Sequence, residues 1–379
     1  MKQLRRSTLL LLLALSLAAM FGACSEDPSN VASPDPENDL LAAVQAHQPE
    51  FARAIASHDR AIPGLLATKG IAGTAIGADD KGQPVVMIYT TGPMAKGQLP
   101  QTIDGLSVVV EETGPIRAYK GPGGGGGNGQ AIQTPPVKMG TSGGWRFDLA
   151  NGFCCGGTLG SLVQKGGTKY VLSNYHVLYA DIVNGGNSRV ATAGDPIIQP
   201  GLIDVACNAA NAQNIASLVA SGGTLPDPGN PDAVDAAIAS VTSGMVDETG
   251  AILNVGTISA NTLGATVGLG VKKMGRTTGL TRSSISAING AFSIQYENEC
   301  AGGASFVQSY QGQVVITNRR CGFQNGGDSG SLLVEDVTTN PRAVGLCFAG
   351  SVTCNNSAIA IANPIGDVLS KLGATMVGQ

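Results

Sequence analysis

Charge is scarce in this chain. Only 13% of its 379 residues are Asp, Glu, Lys or Arg, and the formal balance is −4. So few cations cannot assemble a surface that neutralises phosphates, which excludes nucleic acid as a partner. Aromatic residues make up just 4%, whereas glycine numbers 54. That balance suits short strands joined by tight turns. The cysteines lack both the C-x-x-C spacing and the neighbouring histidines of a zinc site, so no metal or other cofactor is expected. Past the first twenty residues no apolar run is long enough to cross a bilayer. Histidine is rarer still: there are 3, and beyond residue 120 only His176 remains.

What the chain does hold is a serine in a glycine-rich turn, Asn325-Gly326-Gly327-Asp328-Ser329-Gly330-Ser331. Nucleophilic acyl transfer needs an attacking oxygen and donors for the oxyanion that forms. Gly327 has no side chain to block the approach, so the amides of Gly327 and Ser329 can share one hole. Gly330 lets the backbone pass close behind the hydroxyl. Alone, Gly-Asp-Ser-Gly is also ordinary turn composition. His176 follows a strand-like alternation through Tyr170–Ser173, and Asp235 opens the small-apolar run Ala236–Val241. A carboxylate at the head of such a strand is costly to bury unpaired. An imidazole N–H is a natural partner, and it fixes the tautomer in which the other ring nitrogen accepts the serine proton. Asp235 is preferred to Asp232 because it directly precedes the apolar run.

The order His176, Asp235, Ser329, with Gly-Asp-Ser-Gly around the serine, resembles the chymotrypsin-like (trypsin-like) serine peptidases over about residues 141–379. Subtilisin-like and α/β-hydrolase enzymes use the same groups in another order. Lys273-Met274-Gly275-Arg276-Thr277-Thr278-Gly279 is similar to a turn of the bacterial branch that includes α-lytic protease and the streptogrisins. The resemblance implies an all-β fold, a chymotrypsin-like double six-stranded β-barrel with a C-terminal helix. It further implies an ion pair between Arg276 and a buried Asp328, a Cys321–Cys354 disulfide, and a substrate-binding strand containing Phe348, Ala349 and Gly350. Three residues depart from the pattern. Ser331 replaces a second glycine, Val177 a frequent cysteine, and Phe348 the serine that commonly supports the aspartate. None of Cys321–Gly326 is acidic, so a substrate Arg or Lys would lack a counter-charge. A small or medium uncharged side chain is expected instead, with Phe323 limiting the pocket or serving as plain core.

The N-terminus reads as an export signal, with Lys2, Arg5 and Arg6 before an apolar Leu9–Met20. Phe21-Gly22-Ala23-Cys24 resembles a bacterial lipobox. It implies removal of residues 1–23 and a lipid anchor on Cys24, hence an exported lipoprotein of the outer membrane, periplasm or cell surface. Ordinary cleaved secretion is the alternative. Of 8 cysteines, those left after Cys24 are odd in number, so at least one is free or pairs with another chain. Cys154 and Cys155 compete for Cys207, and Cys300 competes for Cys321.

Residues 24–38 read as a polar tether and 39–118 as a small α+β domain. That domain holds a helix from Asn38 through Ile55 and strands Gly70–Ala78, Pro84–Tyr89 and Leu106–Glu111. His47 and His58 lie on the helix and are read as exposed. Residues 119–140 form a Gly/Pro-rich linker. The domain is either a removable pro-domain or a permanent accessory. Within 141–379, Asn208–Ser221 is expected to be helical, and a final helix runs from Asn363-Pro364 to Leu372. The chain therefore reads as an exported serine endopeptidase acting on protein or peptide substrates through an acyl-enzyme. A binding or adhesion module on the same fold, and an esterase or self-processing enzyme, are the alternatives.

Overall fold

The computed structural model describes residues 36–95, 97–118, 129–150, 152–179, 189–224, 234–296 and 305–379. The signal segment, Cys24, the tether up to residue 35, Asp232 and Cys300 lie outside the described residues.

Two helices, Pro36–Ala46 and Gln48–Leu66, stand where one was expected. Pro49 divides them, because a residue without an N–H fits the first turn of a new helix and not the middle of an old one. The second helix buries Phe51, Ala54, His58, Ile62 and Leu65, one face at spacings of three and four. Its apolar side packs with Ile71, Ile76, Val86 and Ile88 of strands Ile71–Ala78 and Pro84–Thr90. His58 is thus buried, contrary to expectation. Its Nε2 lies 3.1 Å from the Thr74 hydroxyl and its Nδ1 3.2 Å from the Asn289 amide. His47 is half-buried. In the connecting turn Asp79 Oδ1 accepts the N–H groups of Lys81 and Gln83, both at 2.9 Å.

Strand Gly279–Tyr296 links this N-terminal part to the C-terminal half of the chain. Its middle pairs antiparallel with Ile71–Ala78, so the N-terminal sheet is continuous with a barrel. That barrel runs Gly270–Gly275, Leu332–Glu335, Ala343–Ser351, Ile359–Pro364, Phe306–Thr317 and Gly279–Tyr296, and closes where the last pairs with the first. Every residue of Ala343–Ser351 is buried, which explains its unbroken small and apolar sequence.

The other barrel runs Thr141–Trp145, Pro196–Gln199, Gln213–Thr224, Ala236–Val241 and Thr168–Ser173. The segment Gly157–Leu159 and Ser161–Lys165 closes it, pairing with Thr141–Trp145 before the bend at Gly160 and with Thr168–Ser173 after it. A Cβ on Gly160 would collide with the Gly330 carbonyl, so the bend sets how closely the barrels approach. Helix Ile365–Leu372 buries Ile365, Val368 and Leu372 and ends at Gly373, whose φ of 63° is left-handed. The result is the expected all-β, chymotrypsin-like pair of barrels with a closing helix.

Two expectations fail here. The Ala-rich stretch 208–221 is mainly strand, Gln213–Thr224, after a short 3-10 turn at Ala209–Asn211. The barrel lacks a strand between Pro196–Gln199 and Ala236–Val241, and filling it outweighs the helical preference of alanine. The end of the supposed linker is not free chain either. Val137 and Met139 are fully buried in the core of the first barrel.

Candidate active site

His176 lies on the short helix Tyr175–Leu178, directly after strand Thr168–Ser173. Asp235 heads strand Ala236–Val241, which pairs with that same strand. Neighbouring strand ends therefore bring the two residues together. The His176 Nδ1–H donates to Asp235 Oδ2 at 2.5 Å, and the His176 backbone N–H donates to Oδ1 at 3.2 Å. Asn174 Nδ2 donates to the Asp235 carbonyl at 2.7 Å, and the Asp235 N–H to Asn363 Oδ1 at 3.3 Å. A carboxylate only accepts, so the shared proton sits on Nδ1, and in the neutral imidazole Nε2 is then the acceptor.

Ser329 comes from the opposite barrel. Its carbonyl accepts the Thr158 N–H at 2.8 Å, and the Ser173 hydroxyl donates to the Thr158 carbonyl at 2.7 Å. The serine and histidine elements thus meet at one junction, where a Cβ on Gly157 would press on both Val177 and the Ser329 carbonyl. The Ser329 hydroxyl itself donates to the Phe348 carbonyl at 3.2 Å. His176 Nε2 has no hydrogen-bond partner among the described residues. Gly327 holds a φ of 92°, which glycine adopts freely. No described protein acceptor receives the N–H of Gly327 or of Ser329.

The expected Arg276–Asp328 pair is not formed. Arg276 turns to Asp204, with Nε to Oδ2 at 2.7 Å and Nη2 to Oδ1 at 2.6 Å. Asp328 Oδ1 accepts the N–H groups of Thr277 and Thr278 at 2.8 and 3.1 Å, and Oδ2 accepts the Asn325 N–H at 3.0 Å and the Thr278 hydroxyl at 2.7 Å. The cation facing Asp328 is Lys273, fully buried, with Nζ 3.4 Å from Oδ2. The turn still serves the aspartate, but through its amides and a lysine one strand-turn earlier. Phe323 belongs to the core of the second barrel with Val271, Ile285 and Leu333, and Lys273 lies over its ring.

Phe348, Ala349 and Gly350 line the edge of strand Ala343–Ser351. The Ala349 carbonyl accepts Gln324 Nε2 at 3.1 Å. Along the same edge runs Ile116–Ala118, the last described segment of the N-terminal part. It pairs antiparallel as Gly350↔Arg117 and Ser351↔Ile116, and parallel to Gln295 and Tyr296 on its other side. Ser329 is 3% exposed, His176 1% and Asp235 0%, so all three side chains are closed off from solvent.

Cys321–Cys354 is a disulfide, and of the two candidates Cys154 pairs with Cys207. Cys155 is disulfide-bonded as well. Cys347 is a free thiol whose ionisation burial pushes up to about 12.

One participant escaped the sequence. The Tyr296 hydroxyl donates to Asp235 Oδ2 at 2.9 Å and is itself hydrogen-bonded to the Tyr310 hydroxyl. Burial, reinforced by the Asp235 charge, drives both phenol pKa values well above the usual range, so both stay protonated.

Residues 227–364 match the family described as the Nal1 C-terminal domain. No curated protein matches the chain. Among solved structures, a glutamic-acid-specific serine protease is 18% identical at a TM-score of 0.42, covering 63% of this chain and 100% of its own. Protease A of Thermobifida fusca is 19% identical at 0.41, covering 64% and 99%. A chymotrypsin of Cellulomonas bogoriensis is 18% identical at 0.39, covering 64% and 99%. The similar structures are thus bacterial chymotrypsin-like serine proteases.

Proposed function

We propose that this chain is an exported serine endopeptidase, held latent by its own N-terminal segment. The observation that carries the reading is the buried His176–Asp235 pair, with Nδ1–H to Oδ2 at 2.5 Å and His176 Nε2 left without a partner among the described residues, so that the Ser329 hydroxyl has to turn from the Phe348 carbonyl to reach it. His176 Nε2 takes the proton as Ser329 Oγ attacks the peptide carbonyl. Asp235 steadies the imidazolium that forms, and the Gly327 and Ser329 N–H groups receive the oxyanion. His176 then returns the proton to the leaving amine, and water hydrolyses the acyl-enzyme by the same relay. The substrate strand takes the edge at Phe348–Gly350, whose Gly350 end is now paired with Arg117 of Ile116–Ala118. In this reading residues 39–118 are a pro-domain, removed or displaced before substrate enters. Disulfides accord with export, and a lipid on Cys24 would tether the enzyme to a membrane.

A fluorophosphonate probe tests the chemistry. The processed wild type labels covalently and Ser329→Ala does not. Equal labelling of both, or of neither, leaves a peptidase-like binding module as the function.

A further inference from the structure

Asp235 is fully buried and works only if its carboxylate is held in one orientation. Phe348 stands on the strand beside the site, has no polar side-chain atom, and packs its ring 4.9 Å from that of Tyr310. At Phe348 the strand therefore offers Asp235 no hydroxyl. Strands Gly279–Tyr296 and Phe306–Thr317 make good the deficit. They place Tyr296 and Tyr310 side by side, with the Tyr296 ring edge-on to His176 at 5.8 Å and stacked on Phe306 at 5.2 Å. Each phenol carries one proton. The Tyr296 proton is directed to Asp235 Oδ2, so the Tyr310 proton must be directed to the Tyr296 oxygen.

We infer that Tyr296, backed by Tyr310, is the positioning residue that supplies Asp235 with the side-chain donor Phe348 cannot provide. It rests on the peptidase reading above, in which Asp235 orients His176. Oδ2 accepts from both His176 and Tyr296, so the phenol draws electron density from the oxygen that holds the imidazole. This fixes the rotation of the carboxylate and moderates its pull on the imidazolium. Tyr296 also pairs, through its backbone, with Ala118 of the covering strand. The strand that blocks the cleft therefore also abuts the donor.

The test is the ionisation of His176 in the full-length chain, followed by ring 15N–1H NMR and assigned against His176→Gln. In Tyr296→Phe the carboxylate loses a donor and holds the imidazolium more strongly. The pH at which the His176 signals change should then move upward by about half a unit to one, roughly three- to tenfold in proton affinity. Tyr310→Phe should move it in the same direction by less. An unmoved midpoint in both variants overturns the inference, since a purely structural tyrosine would not alter that titration. If Tyr296→Phe does not fold, Tyr310→Phe decides alone: an upward move supports the role and none refutes it. Fluorophosphonate labelling of processed protein keeps the two readings apart. A wild type that never labels refutes the peptidase, while the NMR titration still judges the tyrosine pair.

Discussion

Asp204 grips Arg276 through two charge-assisted hydrogen bonds, of 2.6 and 2.7 Å, between the two barrels. Asp204 lies in the turn Leu202–Asp204 of the first barrel, where it also accepts the Ser142 hydroxyl at 2.5 Å. Arg276 follows strand Gly270–Gly275 of the second and reaches beside Gly327, where a Cβ would come within 2.9 Å of its Nη1. The pair therefore fixes the barrels to one another at the back of the Ser329 turn.

Both side chains are almost wholly buried, so removing one takes the bidentate charge partner from the other. Asp204→Ala and Arg276→Leu should each lose about 3–5 kcal/mol of unfolding free energy, read by urea denaturation. The double variant should lose less than the two combined, because no lone charge remains. Additive losses would mean that the ion pair is not the coupling element.

His58 gives the fold an acid-sensitive point. Burial lowers its pKa from 6.5 to about 4, opposed only in part by the charge of Asp59. Between those two values the unfolded chain binds the extra proton and the folded chain does not, so stability rises with pH. The stabilisation is complete above pH 6.5 and is lost as the pH falls toward 4, amounting to about 3 kcal/mol. Thermal midpoints recorded from pH 7 to 4.5 should fall more steeply for wild type than for His58→Gln, which keeps a polar partner for Thr74 without a titrating group. Parallel slopes would rule His58 out as the source.

Much of the site was written in local sequence. The serine turn, the single distal histidine and the carboxylate heading a small-apolar strand each carry their own mark, and adjacent strand ends bring His176 to Asp235, whereas the Ser329 hydroxyl is held by the Phe348 carbonyl and not by His176. The burial of His58 was also legible, since it falls on the face set by Phe51, Ala54, Ile62 and Leu65. Reading that periodicity through the histidine would have placed it inside. Tyr296 was not legible. It meets Asp235 across 61 residues by the register of two long strands, and nothing near it in sequence names a carboxylate. Asp204 is hidden in the same way, a lone acid in a turn whose partner lies 72 residues on. Residues 208–221 misled because alanine content speaks for a helix, while the gap in the barrel is filled by strand Gln213–Thr224.

The covering strand yields the most direct test of latency. Ile116–Ala118 is paired on both edges, so it behaves as a central strand despite its brevity. A proline at Arg117 removes an N–H and fixes φ in the middle of that arrangement, where neither neighbour can adapt without losing ladder bonds. Arg117→Pro in the full-length chain should therefore label with a fluorophosphonate about tenfold faster than unprocessed wild type, the equivalent of about 1.4 kcal/mol of lost occlusion. Ser329→Ala should stay full-length on storage. Wild type should shorten to a form whose N-terminus falls within residues 119–129, by mass spectrometry. Labelling that is unchanged by the proline would mean that Ile116–Ala118 lies beside the cleft without guarding it. The near-complete burial of Ser329 and His176 would then have to be relieved by movement of the barrels themselves.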